Sequence, residues 1–342
     1  MAALGPVGGP RLGGQELQRL ESRLKETRIE IGLTPWVNYL GDEAAAIADQ
    51  AEFADRLGFH SLFLPESHFT GQAACPSPIV VLAAAAARTK HLRLGTTSYL
   101  LPVRNAFQAA EEVAVLDRLS SGRVILGLGR GFRPALFAAF GVDPRTKRQR
   151  FLESLDLMKR AWAGEAIEVG ESGARQPVRI APLPVQQPHP ELWVAAFGPL
   201  ALKQAGELGL PYLSSPLETI SRLTRNHELH REALPQGASR PIVPVMRTVF
   251  ISEDRATCER VGSALTAQAL RMARAGTRLV QEEELADIEN WAVVGGPDEV
   301  RAGFDRYRER IGMTHVIARC GVPDAAPWEI EESIRALAHI GS

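Results

Sequence analysis

The sequence predicts an α/β protein with a (β/α)8 barrel, and three features of the 342-residue chain lead to this fold class. Short apolar segments alternate with amphipathic helical segments about eight times, which is the number of repeats that closes such a barrel. Most of the apolar segments are continuous, as is typical of strands that are buried on both faces of a parallel sheet. The clearest helical segments end at glycine, a common C-cap residue. A doubly wound open sheet is the alternative, but it usually contains fewer strands.

The predicted elements follow from the residue pattern of each segment. The strands cover residues 28–33, 60–65, 92–98, 123–129, 192–197, 211–215, 242–251 and 314–319. The clearest helices lie at residues 42–58, 104–122 and 150–164. The first of them begins with acidic residues, ends at Gly58 and carries its apolar residues on one broad stripe.

Two segments interrupt the alternation of strands and helices. Residues 164–191 form a predicted insertion after the fourth helix, and residues 271–297 form another before the eighth strand. Neither segment looks like a domain linker, so a single barrel domain over residues 28–342 is predicted. It follows an N-terminal extension, residues 1–27, for which the Gly- and Pro-rich start predicts a mobile tail and residues 15–26 predict a short helix.

The composition excludes several classes of partner. A net charge of −1 with no basic block argues against nucleic-acid binding. No apolar segment approaches the about 20 residues that span a bilayer, and the N-terminus lacks the apolar core of a secretion signal. The three scattered cysteines include no CxxC pair, which favours a reducing compartment and argues against a structural zinc site. A cytoplasmic protein without metal is therefore expected.

In barrels of this kind, functional residues lie at the carboxyl ends of the strands. The fourth predicted strand ends in Gly129, Arg130 and Gly131. One interpretation is a turn in which the glycines supply positive φ and the arginine faces water. The other is a phosphate site, in which the backbone approaches the anion and the guanidinium binds it. The local sequence alone leaves both interpretations open.

Other side chains follow the strand ends on the same rim. Glu66 and His68 directly follow the second strand and are either a proton-handling pair or ordinary loop residues. Five aromatic residues predict an apolar mouth that holds a flat ligand: Trp36, Tyr39, Phe69, Tyr99 and Phe132. Arg148, near the start of the next helix, either binds a phosphate together with Arg130 or belongs to the solvated segment around it. No histidine or carboxylate pattern has metal-ligand spacing.

Five segments together resemble the bacterial luciferase-like flavin monooxygenases. They are residues 63–70, 92–132, 140–162, 193–211 and 293–300, and the resemblance extends from about Ile29 to the C-terminus. The most specific part runs from Pro102 to Gly131, with "AEE", "LDRLS" and "GLGRG" in order. The resemblance implies a (β/α)8 barrel that loosely binds reduced FMN or a deazaflavin. It also implies a separate flavin reductase and, in many members, a homodimer.

The resemblance also assigns roles to residues of this chain. Arg130 and Arg148 match arginines that bind the flavin phosphate, and the backbone of Phe197, Gly198 and Pro199 would approach the same phosphate. The bond between Thr97 and Ser98 matches a cis peptide beside the flavin ring. Two departures argue against the light-producing aldehyde reaction: Ser67 stands where luciferases carry a catalytic histidine, and Gly129 stands at their reactive-cysteine position.

The resulting hypothesis is a monooxygenase that uses externally supplied reduced FMN and O2 to oxidise a small organic substrate. His68 would act as general acid or base with Tyr99 or Glu66 assisting, and Arg247 and Trp291 are added to the predicted substrate pocket. A deazaflavin-dependent hydride transferase and a non-catalytic flavin-binding protein are the alternatives. A barrel hydrolase ranks last because the chain has no GxSxG nucleophile motif or carboxylate pair. The rim loops carry no motif that identifies the substrate.

Overall fold

The computed structural model describes residues 28–36, 44–71, 74–171, 174–237, 242–274 and 282–340. The predicted N-terminal extension and Tyr39 lie outside these residues. The strands are β1 (Glu30–Thr34), β2 (Ser61–Leu64), β3 (Arg93–Thr96), β4 (Tyr99–Leu100), β5 (Val124–Gly129), β6 (Ile167–Val169), β7 (Gln176–Val178), β8 (Glu191–Ala195), β9 (Tyr212–Leu213), β10 (Pro244–Ile251), β11 (Ala292–Gly295) and β12 (His315–Arg319).

The helices lie between these strands. They are α1 (Ala44–Arg56), α2 (Pro78–Arg88), α3 (Ala106–Leu119), α4 (Pro134–Ala139), α5 (Lys147–Trp162), α6 (Pro199–Glu207), α7 (Ile220–Glu232), α8 (Arg255–Arg274), α9 (Glu282–Leu285), α10 (Pro297–Ile311) and α11 (Pro327–Ile340). None of the helices in these ranges is long and apolar enough to cross a membrane.

Eight parallel strands form the predicted barrel. Neighbouring strands pair in the order β10, β12, β1, β2, β3, β5, β8 and β9. The sheet curls until β9 and β10 lie side by side, and there the Met246 N–H donates to the Ser214 hydroxyl at 3.2 Å. The barrel fold that the sequence predicts is therefore confirmed, and the parallel pairing brings all the carboxyl ends to one face.

Two cores stabilise this arrangement. The barrel interior is filled by six side chains: Phe63, Ile125, Trp193, Leu213, Met246 and Ile317. Phe63 and Trp193 stack there with ring centroids 5.1 Å apart. A much larger apolar core lies between the strands and the surrounding helices, which explains why most strand residues are buried on both faces.

The segments predicted as insertions contain their own elements. Strands β6 and β7 pair antiparallel with each other between α5 and β8. Before β12, the chain forms α8, α9, β11 and α10, and residues 275–281 of this segment are outside the described ranges. Within the second of these segments, Val293–Gly295 belong to β11, which pairs with β10 beyond the β12 ladder.

Candidate active site

A cavity of about 450 Å³ opens at the carboxyl ends of the barrel strands. Its walls come from the segments that follow β2, β3, β5, β8 and β9, together with the N-terminus of α5 and Met246 of β10. The volume falls within the range of about 300–1,000 Å³ that is usual for small-molecule sites. The predicted residues Glu66, His68, Arg130 and Phe132 all line it.

One side of the cavity carries a buried carboxylate that binds His68. The Glu66 side chain is fully buried, and its Oε1 lies 2.8 Å from His68 Nε2 and 2.6 Å from Arg104 Nη1. Its Oε2 accepts the Leu100 N–H at 2.9 Å. Because the arginine and the backbone also bind the carboxylate, Glu66 is held in the wall and fixes the orientation of the His68 ring.

Tyr99 lies behind this pair rather than in the cavity. Its ring is fully buried beneath the Arg104 guanidinium at 4.0 Å, and its hydroxyl donates to Glu112 at 3.1 Å. Burial raises the pKa of Tyr99 above its usual range, so the phenol stays protonated. Burial disfavours the charge of Arg104, but Tyr99 and Glu66 outweigh it and raise the pKa of Arg104. Tyr99 therefore supports Arg104 and is not positioned to act on a substrate.

The cavity wall after β5 carries Arg130, the predicted phosphate-binding residue. Arg130 follows β5, packs over the Phe151 ring at 4.5 Å and donates to the buried Gln204 amide oxygen of α6. Burial, together with the neighbouring charge of Arg148, lowers the pKa of Arg130 to about 10. The guanidinium is thus held by neutral groups in a partly desolvated place, which is an arrangement that an anion would stabilise.

Only some of the other residues at the predicted phosphate site line the cavity. Lys147, the first residue of α5, lines the cavity, whereas Arg148 is exposed and is not among the lining residues. Phe197 reaches the cavity, and Gly198 and Pro199 follow it at the start of α6. Lys147, which the sequence interpretation missed, therefore lines the cavity, whereas the predicted Arg148 does not.

The glycines beside Arg130 have a packing role. A Cβ on Gly129 would overlap the Ser98 hydroxyl, and a Cβ on Gly131 would lie 2.8 Å from the Leu136 side chain. Gly131 also has a φ of +70°, which favours glycine. The Thr97–Ser98 peptide bond is cis, as the resemblance implied, and both residues line the cavity. The glycines thus admit Ser98 and Leu136 at the cavity wall.

The predicted aromatic mouth is only partly correct. Phe69 and Phe132 are strongly exposed at this face, and Phe132 lines the cavity. Trp36 instead packs edge-to-face on Phe53 of α1. Trp291 is buried in the core outside the barrel, where its indole N–H donates to the Leu285 carbonyl at 3.1 Å. Neither tryptophan lines the cavity, because both belong to the layer between sheet and helices.

Arg247 also lies outside the predicted pocket. It is fully buried behind the cavity wall, with Nη1 3.3 Å from the Ser215 carbonyl and Nη2 2.7 Å from the Glu218 carbonyl. The Glu218 carboxylate in turn accepts the Ser215 N–H at 2.6 Å. Because Ser215 lines the cavity, Arg247 and Glu218 support its wall from outside the barrel.

Arg104, Gln204 and Lys147 are the contributors that sequence reasoning missed. Arg104 is 38 residues from Glu66, and Gln204 is 74 residues from Arg130. Only Lys147 had a usable signal, since it precedes Arg148 at the predicted start of a helix. Among the described residues, no cluster of three or more His, Cys, Asp or Glu side chains could hold a metal ion.

The fold and the cavity together define a class: a (β/α)8 barrel protein with a cationic pocket and a histidine–carboxylate pair at the carboxyl face of its strands. A family model described as luciferase-like monooxygenase matches residues 28–315. The chain therefore belongs to the luciferase-like monooxygenase family, and the predicted family is confirmed.

The individual curated relatives share only part of this sequence with the chain. The flavin-dependent trigonelline monooxygenase, oxygenase component, of Acinetobacter baylyi is 30% identical over 208 residues, which are 59% of this chain and 58% of that protein. Matches to the first curated relatives span about half of each relative's length.

Solved structures match more of the chain. The monooxygenase RslO1 from Streptomyces bottropensis is 27% identical, with a TM-score of 0.78 over 91% of this chain and 98% of that one. An F420-dependent secondary alcohol dehydrogenase, at 18% identity and a TM-score of 0.68 over 92% and 98%, shares the fold alone.

Proposed function

We propose that the protein is a flavin-dependent monooxygenase that uses externally supplied reduced FMN and O2 to oxidise a small organic substrate. The observation that carries this proposal is the polarity of the cavity. Arg130 and Lys147 line the same cavity as the Glu66–His68 pair. An elongated cofactor with an anionic end fits such a cavity, because its phosphate would meet the cations.

The residues present fit FMN on structural grounds. Arg130 is a partly buried cation that binds only a neutral amide and an aromatic face within the described part of the chain. A flavin phosphate would supply the missing counter-charge, with Lys147 as the second cation. When bound and reduced, FMN supplies two electrons, so that one oxygen atom of O2 enters the substrate and the other leaves as water.

The chain's own residues handle protons and exclude water. Because Nε2 of His68 is bound to Glu66, Nδ1 is the ring nitrogen that would exchange a proton with a ligand. Arg104 pairs with the same Glu66 carboxylate. The apolar side chains of Leu100, Leu213 and Met246 form the remaining wall and keep water from the reacting atoms.

A deazaflavin-dependent hydride transfer is the second candidate. One feature favours it: Arg133 lines the cavity and Arg148 is exposed close to Arg130, so a longer anionic tail would find cations beyond the phosphate. The name of the trigonelline relative, an oxygenase component, supports the first candidate and a separate flavin reductase.

The test separates these candidates by binding and by product. Purified protein is titrated anaerobically with reduced FMN and with a reduced deazaflavin, and turnover is then followed under ¹⁸O2 with a reductase and a panel of organic substrates. The proposal expects tight binding of reduced FMN and one ¹⁸O atom per product. Preference for the deazaflavin with unlabelled product supports hydride transfer. FMN binding without turnover supports a non-catalytic flavin-binding protein.

A further inference from the structure

We propose that Phe69 and Phe140, which both lie against the His68 ring, form a subsite for an uncharged, apolar substrate. This inference rests on the proposed function and adds the chemical class of the substrate. The His68 ring centroid lies 5.9 Å from that of Phe69 and 5.1 Å from that of Phe140, and the two phenyl rings are 6.4 Å apart. The three rings therefore form one continuous patch beside the cavity.

Both rings of the patch are exposed although they contact each other and His68. Phe69 is 65% exposed and Phe140 is 42% exposed. Phenylalanine is usually among the most buried residues, and clustered exposed apolar side chains mark binding surfaces. Within the described ranges, the exposed phenylalanines are these two together with Phe132 and Phe197, which line the cavity itself. All of them thus lie at the cavity or next to a residue that lines it.

The backbone of Phe69 is a second, independent observation. Its φ is +57°, in the left-handed region that a bulky side chain rarely adopts. Glycine or asparagine would suit this conformation better, and the exposed ring gains little from burial in the protein. A strained residue with an exposed aromatic ring beside a site indicates that the ring is kept for a ligand.

Charge decides which ligand the patch would bind. Among the described residues that line the cavity, Glu66 is the only carboxylate, and both of its oxygens are already bound by Arg104, His68 and the Leu100 N–H. The lining cations lie over other rings: Arg130 over Phe151, Arg133 over Phe132 and Lys147 over Phe137. The patch therefore offers two phenyl rings and an imidazole that is bound to Glu66, which favours a hydrocarbon skeleton that carries at most a neutral oxygen group.

The test uses two probes of similar shape and different charge. Cyclohexyl methyl ketone and cyclohexanecarboxylate are titrated by calorimetry into the protein, both with and without oxidised FMN. The expected result with FMN present, when its phosphate would occupy Arg130 and Lys147, is that the ketone binds at least about tenfold more tightly, because the carboxylate would lose its hydration without gaining a partner. Equal affinity, or preference for the carboxylate, would overturn the proposal.

Substitutions assign the binding to the two rings. Phe69→Ala and Phe140→Ala should each weaken ketone binding about tenfold, which corresponds to about 50 Å² of apolar contact. Leu119→Ala removes an apolar side chain of similar exposure, 59%, at the end of α3 that faces away from the cavity, and should leave the affinity unchanged. Ketone binding that is insensitive to both phenylalanine substitutions would refute the subsite.

Phe69→Gly separates binding from folding. Glycine adopts a φ of +57° without strain, so this variant should unfold at the same temperature as the wild type or higher and still bind the ketone about tenfold more weakly. A wild-type protein that binds no FMN would refute the proposed function. The ketone titrations without FMN would still decide the subsite, so the two failures are distinguishable.

Discussion

Replacing Arg130 by alanine should separate ligand binding from fold stability. The lowering of the Arg130 pKa to about 10 means that the folded protein disfavours this charge. The full difference corresponds to at most about 3 kcal/mol, and partial exposure reduces it to about 1–2 kcal/mol. Because the folded pKa is the lower one, this penalty is present throughout the neutral range and is relieved only as the pH rises through about 10.

Arg130→Ala removes this charge penalty, but it also removes favourable contacts of the arginine. The alanine variant loses the contact with the Phe151 ring, worth about 0.5–1 kcal/mol, and leaves the buried Gln204 amide oxygen without its donor, at about 1–2 kcal/mol. The gain and the losses are of similar size. The free energy of unfolding of the ligand-free variant should therefore lie within about 1 kcal/mol of the wild type.

FMN affinity should respond far more strongly. A charge-assisted hydrogen bond to phosphate contributes about 1.5–3 kcal/mol, so the dissociation constant should rise about ten- to a hundredfold. The exposed Arg148 should contribute less, about two- to threefold on replacement by alanine. Arg145, which is exposed and paired with Asp143, provides the matched control and should show no effect.

The assay combines flavin-fluorescence titration with urea unfolding of the same samples. Inorganic phosphate should raise the unfolding midpoint of the wild type and not that of Arg130→Ala, because only the wild type keeps the anion site. An FMN affinity within twofold of the wild type would refute the phosphate assignment. A loss of more than about 3 kcal/mol without ligand would show that Arg130 serves the fold instead.

Three further predictions concern the His68 side of the cavity and the buried histidines. His68→Ala should lower turnover about 10²–10⁴-fold with FMN affinity unchanged, whereas equal turnover per folded molecule would exclude proton handling by His68. Arg104→Met removes the arginine that pairs with the buried Glu66 carboxylate and should cost about 2–4 kcal/mol in urea unfolding, with Arg104→Lys closer to the wild type. Burial lowers the pKa of His60 to about 3 and that of His315 to about 4. Because the unfolded state binds a proton more readily at each of these histidines, each should lower the free energy of unfolding by up to about 1.4 kcal/mol per pH unit as the pH falls below 6.5. A His60→Asn variant whose stability depends on pH in the same way as that of the wild type would contradict this.

The functional side chains of the cavity come from segments that are distant along the chain. The segment after β2 supplies the histidine and carboxylate, and the segment after β5 supplies the first cation. Their supports come from elsewhere, since Arg104 precedes α3 and Gln204 lies on α6. Substitution of Arg104 or Gln204 should therefore change the orientation of His68 or Arg130, although neither Arg104 nor Gln204 lines the cavity.

The sequence alone determined the barrel and the place of its functional face. Strand-sized apolar segments alternate with amphipathic helices, and a residue that directly follows a parallel strand must lie at the carboxyl face. Glu66, His68 and Arg130 could be assigned in this way because their positions depend only on local order along the chain. The family resemblance added the cis bond after Thr97, which local pattern does not predict.

The tertiary structure decided which way side chains face and which distant groups meet. Met246 lines the cavity while its neighbour Arg247 points out toward Tyr307, at 4.8 Å, since successive strand residues face opposite sides. A strand buried on both faces shows no alternation in its sequence, so the outward direction of Arg247 could not be predicted. The contacts of Arg104 with Glu66 and of Gln204 with Arg130 join residues from different barrel repeats, and only the folded arrangement of those repeats brings them within hydrogen-bonding distance.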